Sequence, residues 1–172
     1  MYLTYRPGDP FSAWPAHWSH PDFGWAWLAE EPHAIVSQAT VDRASVRMVD
    51  ALQNLFDEVV ALGVLAAHPR LVLIHDWRSI KIAEPGALER WLERSQRPGH
   101  PFKSVAAVYV ALRAGSVVRA TLQAASLALS MRTGMSAIRL IEDPAAPLAT
   151  RGVKAPPGGV LERIRGGKQP AR

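Results

Sequence analysis

Leu71-Val-Leu-Ile-His-Asp-Trp-Arg-Ser-Ile-Lys-Ile-Ala-Glu-Pro-Gly86 decides the fold class. Leu71 to Ile74 is an unbroken apolar run closed by His75. That is the pattern of a strand covered on both faces, since a half-exposed strand would alternate. The polar group Asp76 to Ser79 ends the run. Pro85 then fits the first turn of a helix with Leu88, Trp91 and Leu92 on one face, and Pro98-Gly99 terminates it. A buried strand, a short loop and an amphipathic helix together form the repeating unit of a parallel sheet.

The same grammar extends in both directions. Upstream, Trp25 to Glu30 and Ala34 to Val41 read as two strands joined by a Glu-Glu-Pro-His turn. Asp42 is expected to cap a helix carrying Val46, Val49, Leu52, Leu55 and Val59 at helical spacing, with Gly63 ending it. Downstream, Ser104 to Leu112 is a second apolar strand. Gly115-Ser116 opens a third helix through Met131, Gly134 closes it, and Ala137 to Ile141 is the last strand. The order β-β-α-β-α-β-α-β predicts an α/β fold: a mostly parallel sheet of four to five strands, with three helices largely on one face.

Composition bounds the function. The chain has 172 residues, 48% hydrophobic and 20% charged, which suits one domain with a real core. It has no Cys, which excludes disulfides, thiolate metal sites and Cys nucleophiles. The net charge of +5 suggests an acidic partner. Yet residues 151–172 hold six basic residues and one acid, which is the whole excess, so residues 1–150 are formally neutral. Those last 22 residues, with Pro156-Pro157-Gly158-Gly159 and Gly166-Gly167, read as a basic, disordered tail, and specific nucleic-acid binding loses its support. Residues 1–23 read as an arm rich in Pro and Trp, with Trp14 and Trp18 as possible interface anchors, and 24–150 as the domain. No stretch is long and apolar enough for a membrane span and no secretory signal is visible, so the expected location is cytoplasmic.

In element order over residues 24–150, and in the segment 71–86, the chain resembles the STAS / SpoIIAA-like superfamily of anti-sigma-factor antagonists and their relatives. Members place an Asp-Ser-Ser-Gly motif after the central strand, its second serine being the phosphorylated switch. Here Ala83-Glu84-Pro85-Gly86 occupies that place, and Glu84 and Pro85 carry no hydroxyl. Phosphorylation works by adding about two negative charges, so this position cannot be switched that way. Glu84 puts a permanent carboxylate near a helix N-terminus, as ordinary helix starts also do. The resemblance is closer to SpoIIAA-like domains lacking the serine, which are similar in shape to lipid-binding Sec14-type domains. It implies a protein partner, possible homodimers and no cofactor.

Outside that resemblance, His75-Asp76-Trp77-Arg78-Ser79 is the most suggestive cluster, because it follows a strand at its C-terminal end. An imidazole, a carboxylate, an indole and a guanidinium together suit an anion or a partner loop. His75 and Asp76 are adjacent, so on a strand they point to opposite faces, which weakens a His–Asp dyad. The bland alternative is that Asp76 caps the turn and Trp77 covers the core edge. His17, His20 and His33 with Asp22 make a weak metal signal, lacking a second paired motif. Dinucleotide, P-loop and hydrolase-elbow motifs are absent. Ala120, Ala124, Ala125 and Ala128 allow close packing of the third helix, and its Leu122, Leu127 and Leu129 do not fit one narrow stripe. That leaves apolar surface for a partner or a second copy.

Together these features predict a non-enzymatic protein-interaction or regulatory module of a bacterial signalling system. It would dock through the 76–86 loop and the adjacent helices, using Asp76, Trp77, Arg78, Ser79 and Glu84. The expected partner is a regulatory kinase or an anti-sigma-like protein. Two rivals make structural demands. A carrier of a lipid-like ligand needs a large dry pocket between helices and sheet. An enzyme using His75, Asp76 and Arg78 needs the three to converge in one cleft.

Overall fold

The computed structural model describes residues 17–29, 34–61, 63–100, 105–133 and 138–150. One sheet of six strands organises them, in the order β1 (His17–His20), β2 (Gly24–Ala29), β3 (Ala34–Ala39), β5 (Val72–Asp76), β7 (Ala107–Ala111) and β8 (Arg139–Ile141). β1, β2 and β3 pair antiparallel, and β3, β5, β7 and β8 pair parallel. The crossovers carry α1 (Val46–Ala61) with α2 (Val64–Ala67), then α3 (Ala87–Ser95), then α4 (Val117–Thr133), and α5 (Ala146–Thr150) follows β8. A two-residue parallel ladder joins β4 (Arg43–Ala44) to β6 (Ile82–Ala83).

The chain is therefore α/β with a mostly parallel sheet. Each crossover steps one strand further in the same direction. Parallel crossovers are almost always right-handed, so three steps in one direction put all three long helices on one face. The core follows from this. Ile35, Leu71, Leu73, Trp77, Val108, Val110 and Leu112 from one sheet face pack with Met48, Leu52, Leu55 and Phe56 of α1, Trp91 of α3, and Val118 and Leu122 of α4. The alternate residues Ala34, Val36, Val72, Ile74, Ala107 and Ala111 lie on the other face. They too are buried, but outside that core. All five residues of β5 are buried, as its unbroken apolar pattern requires.

Several expectations are corrected. The sheet has a sixth strand, β1, inside the segment read as an arm, where Pro-rich sequence hides a short strand that exists by pairing with β2. The α1 cap is Ser45, whose Oγ accepts the Met48 N–H at 3.1 Å, and not Asp42. The Asp42 carbonyl instead accepts the Lys81 N–H at 2.8 Å. Pro85 stands in the turn ahead of α3 rather than in its first turn, because Gly86 adopts a left-handed φ of 83° at the N-cap. Trp14 and the tail 151–172 lie outside the described residues.

Gly24 marks the tightest approach in the sheet. Its φ is 141°, and a Cβ there would collide with the backbone of Gln38 and Thr40. Gly63 also has a left-handed φ, of 71°, but faces open space. Gly24→Ala is therefore expected to cost more than Gly63→Ala, about 3 kcal/mol against about 1 kcal/mol. Urea denaturation of the two variants checks the order.

Candidate functional site

The C-terminal end of the parallel strands gathers the loops that sequence reading singled out. β5 ends at Asp76, and the Trp77 N–H continues the ladder to the Ala111 carbonyl at 2.9 Å. The following loop returns to the β3–α1 connection through the β4–β6 ladder, with the Glu84 N–H bonded to the Ala44 carbonyl at 2.9 Å. The starts of α1, α3 and α4 surround this edge. Strand order never reverses, so among the described residues there is no switch-point crevice of the kind that holds ligands in open α/β sheets.

His75 and Asp76 occupy opposite faces. His75 is 1% exposed on the helix side. Its Nδ1 lies 2.6 Å from Ser37 Oγ, the Phe56 ring meets it edge-on at 5.7 Å, and Trp77 lies tilted at 5.8 Å. Phe56 also meets His100 edge-on, and His100 Nε2 lies 2.9 Å from Gln53 Oε1. Burial pushes the His75 pKa down to about 3, with the nearby His100 acting in the same direction. His75 is therefore a neutral core residue at neutral pH.

Asp76 is 3% exposed on the other face and is fully committed. Its Oδ1 accepts the Arg78 N–H at 3.2 Å and the Arg78 Nε–H at 2.8 Å, and its Oδ2 accepts Nη2–H at 2.9 Å. Gln38 Nε2 donates to Oδ2 at 3.4 Å. This is a turn cap closed by a forked guanidinium. The hydrogen bond to Asp76, with its charge and that of Asp143, raises the Arg78 pKa. Trp77 is buried in the core, and Ser79 Oγ donates to the Ala39 carbonyl at 2.7 Å. Glu84 pairs with Arg43 at 3.6 Å, a half-exposed contact worth under about 1 kcal/mol.

Asp76, Arg78 and Ser79 thus hold the loop together, and His75, Asp76 and Arg78 do not converge. The feature sequence reading missed is apolar. A pit of about 40 Å³ lies between the helix starts and the β4–β6 ladder. Ala44, Met48, Trp77, Ala83, Leu88 and Leu122 are among its walls. Trp77 Nε1 is buried without a hydrogen-bond partner. Two large apolar side chains on the same elements remain in solvent without lining the pit, Val46 at the start of α1 and Ile82 in β6, the latter 52% exposed. The only sequence signal was Ile82 itself, an apolar residue between Lys81 and the turn. A cavity of about 150 Å³ is needed for a molecule the size of benzene, so this pit leaves no room for a lipid-like ligand.

Among the described residues no group of three His, Asp or Glu side chains is placed to hold a metal ion. The Asp22 N–H donates to His20 Nδ1 at 3.1 Å, while the side chains of His17 and His33 lie outside the described residues. No described helix is long and apolar enough to cross a membrane. No family model, curated protein or solved structure matches the chain. The resemblance to the STAS / SpoIIAA-like superfamily therefore rests on element order and segment 71–86.

Two outcomes follow from the buried polar groups. The folded His75 pKa lies below the ordinary 6.5, so its full contribution to stability is present above pH 6.5. Between pH 6.5 and about 3 the unfolded chain binds one more proton there, and stability falls by up to about 1.4 kcal/mol per pH unit. His75→Gln should flatten that slope in urea melts run across the window. Asp76→Ala should destabilise by about 2–4 kcal/mol, because it removes the turn cap and strands a partly buried guanidinium; thermal melting measures the loss.

Proposed function

We propose that this chain is a protein-interaction module of the STAS / SpoIIAA-like kind. It binds a regulatory protein of a bacterial signalling system at the C-terminal edge of its parallel strands. Val46 and Ile82 carry this reading, because they hold large apolar side chains in solvent at the start of α1 and in β6, the elements that form this edge. Interaction surfaces are distinguished by such apolar centres with polar rims, and here Arg43, Lys81 and Glu84 form the rim. The polar residues of the 76–79 loop shape the edge, and the apolar side chains make the contact. A kinase or an anti-sigma-like protein is the class of partner the superfamily resemblance suggests. With no hydroxyl at positions 84 and 85, phosphorylation there cannot control the contact.

The forked Asp76–Arg78 pair is tied up internally.

The test is a pull-down from bacterial lysate with wild type, Ile82→Asp and Val46→Asp as baits. Both substitutions fall on exposed positions, so folding should be unchanged by circular dichroism. A specific protein retained by wild type and lost with either variant is the expected result. No specific protein, or equal retention by all three baits, would overturn the proposal.

A further inference from the structure

The sheet face away from the three long helices is closed as well. Ala34 and Val36 of β3, Val72 and Ile74 of β5, and Ala107 of β7 are each no more than 4% exposed, yet none belongs to the helix-side core. One end of this face has a described cover. Ala145, just before α5, and Leu148 within it are fully buried and also stand outside that core. The Asp143 charge acts on Arg78, which Asp76 holds on this face, so residues 143–148 lie near the C-terminal ends of the strands. α5 has five residues, about 8 Å of helix, and leaves the other end of the face to be covered by something else. Exposure is graded across the strands. In the middle row Val36 and Ile74 are fully buried, Tyr109 is half-buried and Arg139 of β8 is exposed, its Nη1 donating to the Tyr109 hydroxyl at 3.1 Å. The cover is complete over β3 and β5 and fades toward β8, as a cover arriving from the β1–β2 side would.

We infer that residues 1–16, which lead into β1, cross this face as an extended strap over β3 and β5. The segments 30–33, 101–104 and 134–137 have four residues each, too few to span it. Residues 151–172 are long enough, but they continue from α5 and carry six bases against one acid, charges that an apolar face would strip of water. Residues 1–16 carry Met1, Tyr2, Leu3, Tyr5, Phe11 and Trp14 with a single charge of each sign, Arg6 and Asp9. β1 is the edge strand on the side where burial is complete. Through Trp27, its first residue His17 stands level with Val36, so the chain enters the sheet beside the row that needs covering.

Length and composition suit the task. From β1 to β5 is three strand spacings, about 14 Å, whereas sixteen extended residues reach about 50 Å. Pro7, Pro10 and Pro15 exclude a helix and remove N–H donors, so the segment lies over apolar side chains with fewer backbone groups left to satisfy. Its aromatic side chains bring large apolar areas to sheet residues that are small or medium in size. The aromatic residues of 1–16 are then part of the fold and withheld from a partner, while the edge at Ile82 stays open.

Absence of Cys allows a single nitroxide label on the full chain. A label at Asp9→Cys should remove most of the methyl NMR intensity of Val36, Val72 and Ile74, and leave Leu52 and Leu55 of α1, on the helix side, largely intact. A label at Gln169→Cys should leave all of these signals unchanged. Phe11→Ser combined with Trp14→Ser should lower the urea midpoint of the full chain and abolish the broadening from Asp9→Cys. Should that double variant fail to fold, the two labels on the otherwise unaltered chain decide the matter. No broadening from Asp9→Cys, equal broadening on both sides of the sheet, or broadening of Val36 and Ile74 from Gln169→Cys instead would overturn the inference. So would an unchanged urea midpoint in the double variant.

Discussion

Burial of β5 on both faces is the constraint from which the rest follows. A strand alternates its side chains, so Leu73, His75 and Trp77 must go to the helix side, and Val72, Ile74 and Asp76 to the other. Each polar residue then has to be satisfied where it lands. His75 stays neutral, with Ser37 beside it and Phe56 and Trp77 around its ring. Asp76 takes three donors from Arg78 and one from Gln38. The turn after β5, and hence the position of the whole 77–86 loop, is set by that second solution.

One consequence is that a motif that looked chemical is structural in its polar parts. Side chains that hold a loop in place are not free to hold a ligand. The sheet topology points the same way, since strands laid down in sequence order never create the crevice where open α/β sheets bind small molecules. Among the described residues, large apolar side chains left in solvent include Val46 at the start of α1, Ile82 in β6, and Val117, Leu127 and Met131 on α4.

The long elements were legible because their patterns are strong. β2, β3, β5, β7, α1 and α4 lie where period-two or helical spacing places them, within a few residues. The short ones were not. β1 lies among prolines, and the two-residue β4–β6 ladder has no periodicity to read; both exist through partners distant in sequence. Ser45 displaced Asp42 as the cap of α1 because the two extended residues of β4, Arg43 and Ala44, intervene between Asp42 and the helix start. At the site, the opposed directions of His75 and Asp76 could be read from their adjacency. The fork from Arg78 could not, since one turn can place that side chain on either side.

The sequence by itself determined the fold class, the neutral charge of residues 1–150, the lack of a hydroxyl at positions 84 and 85 and the covered nature of β5. These depend on local pattern and composition, which folding does not alter. Tertiary structure decided which groups remain available. It enclosed His75, tied Arg78 to Asp76 and left Ile82, Leu127 and Met131 in solvent. Availability is the surface that remains once every other contact has been made, and a linear pattern contains no record of those contacts.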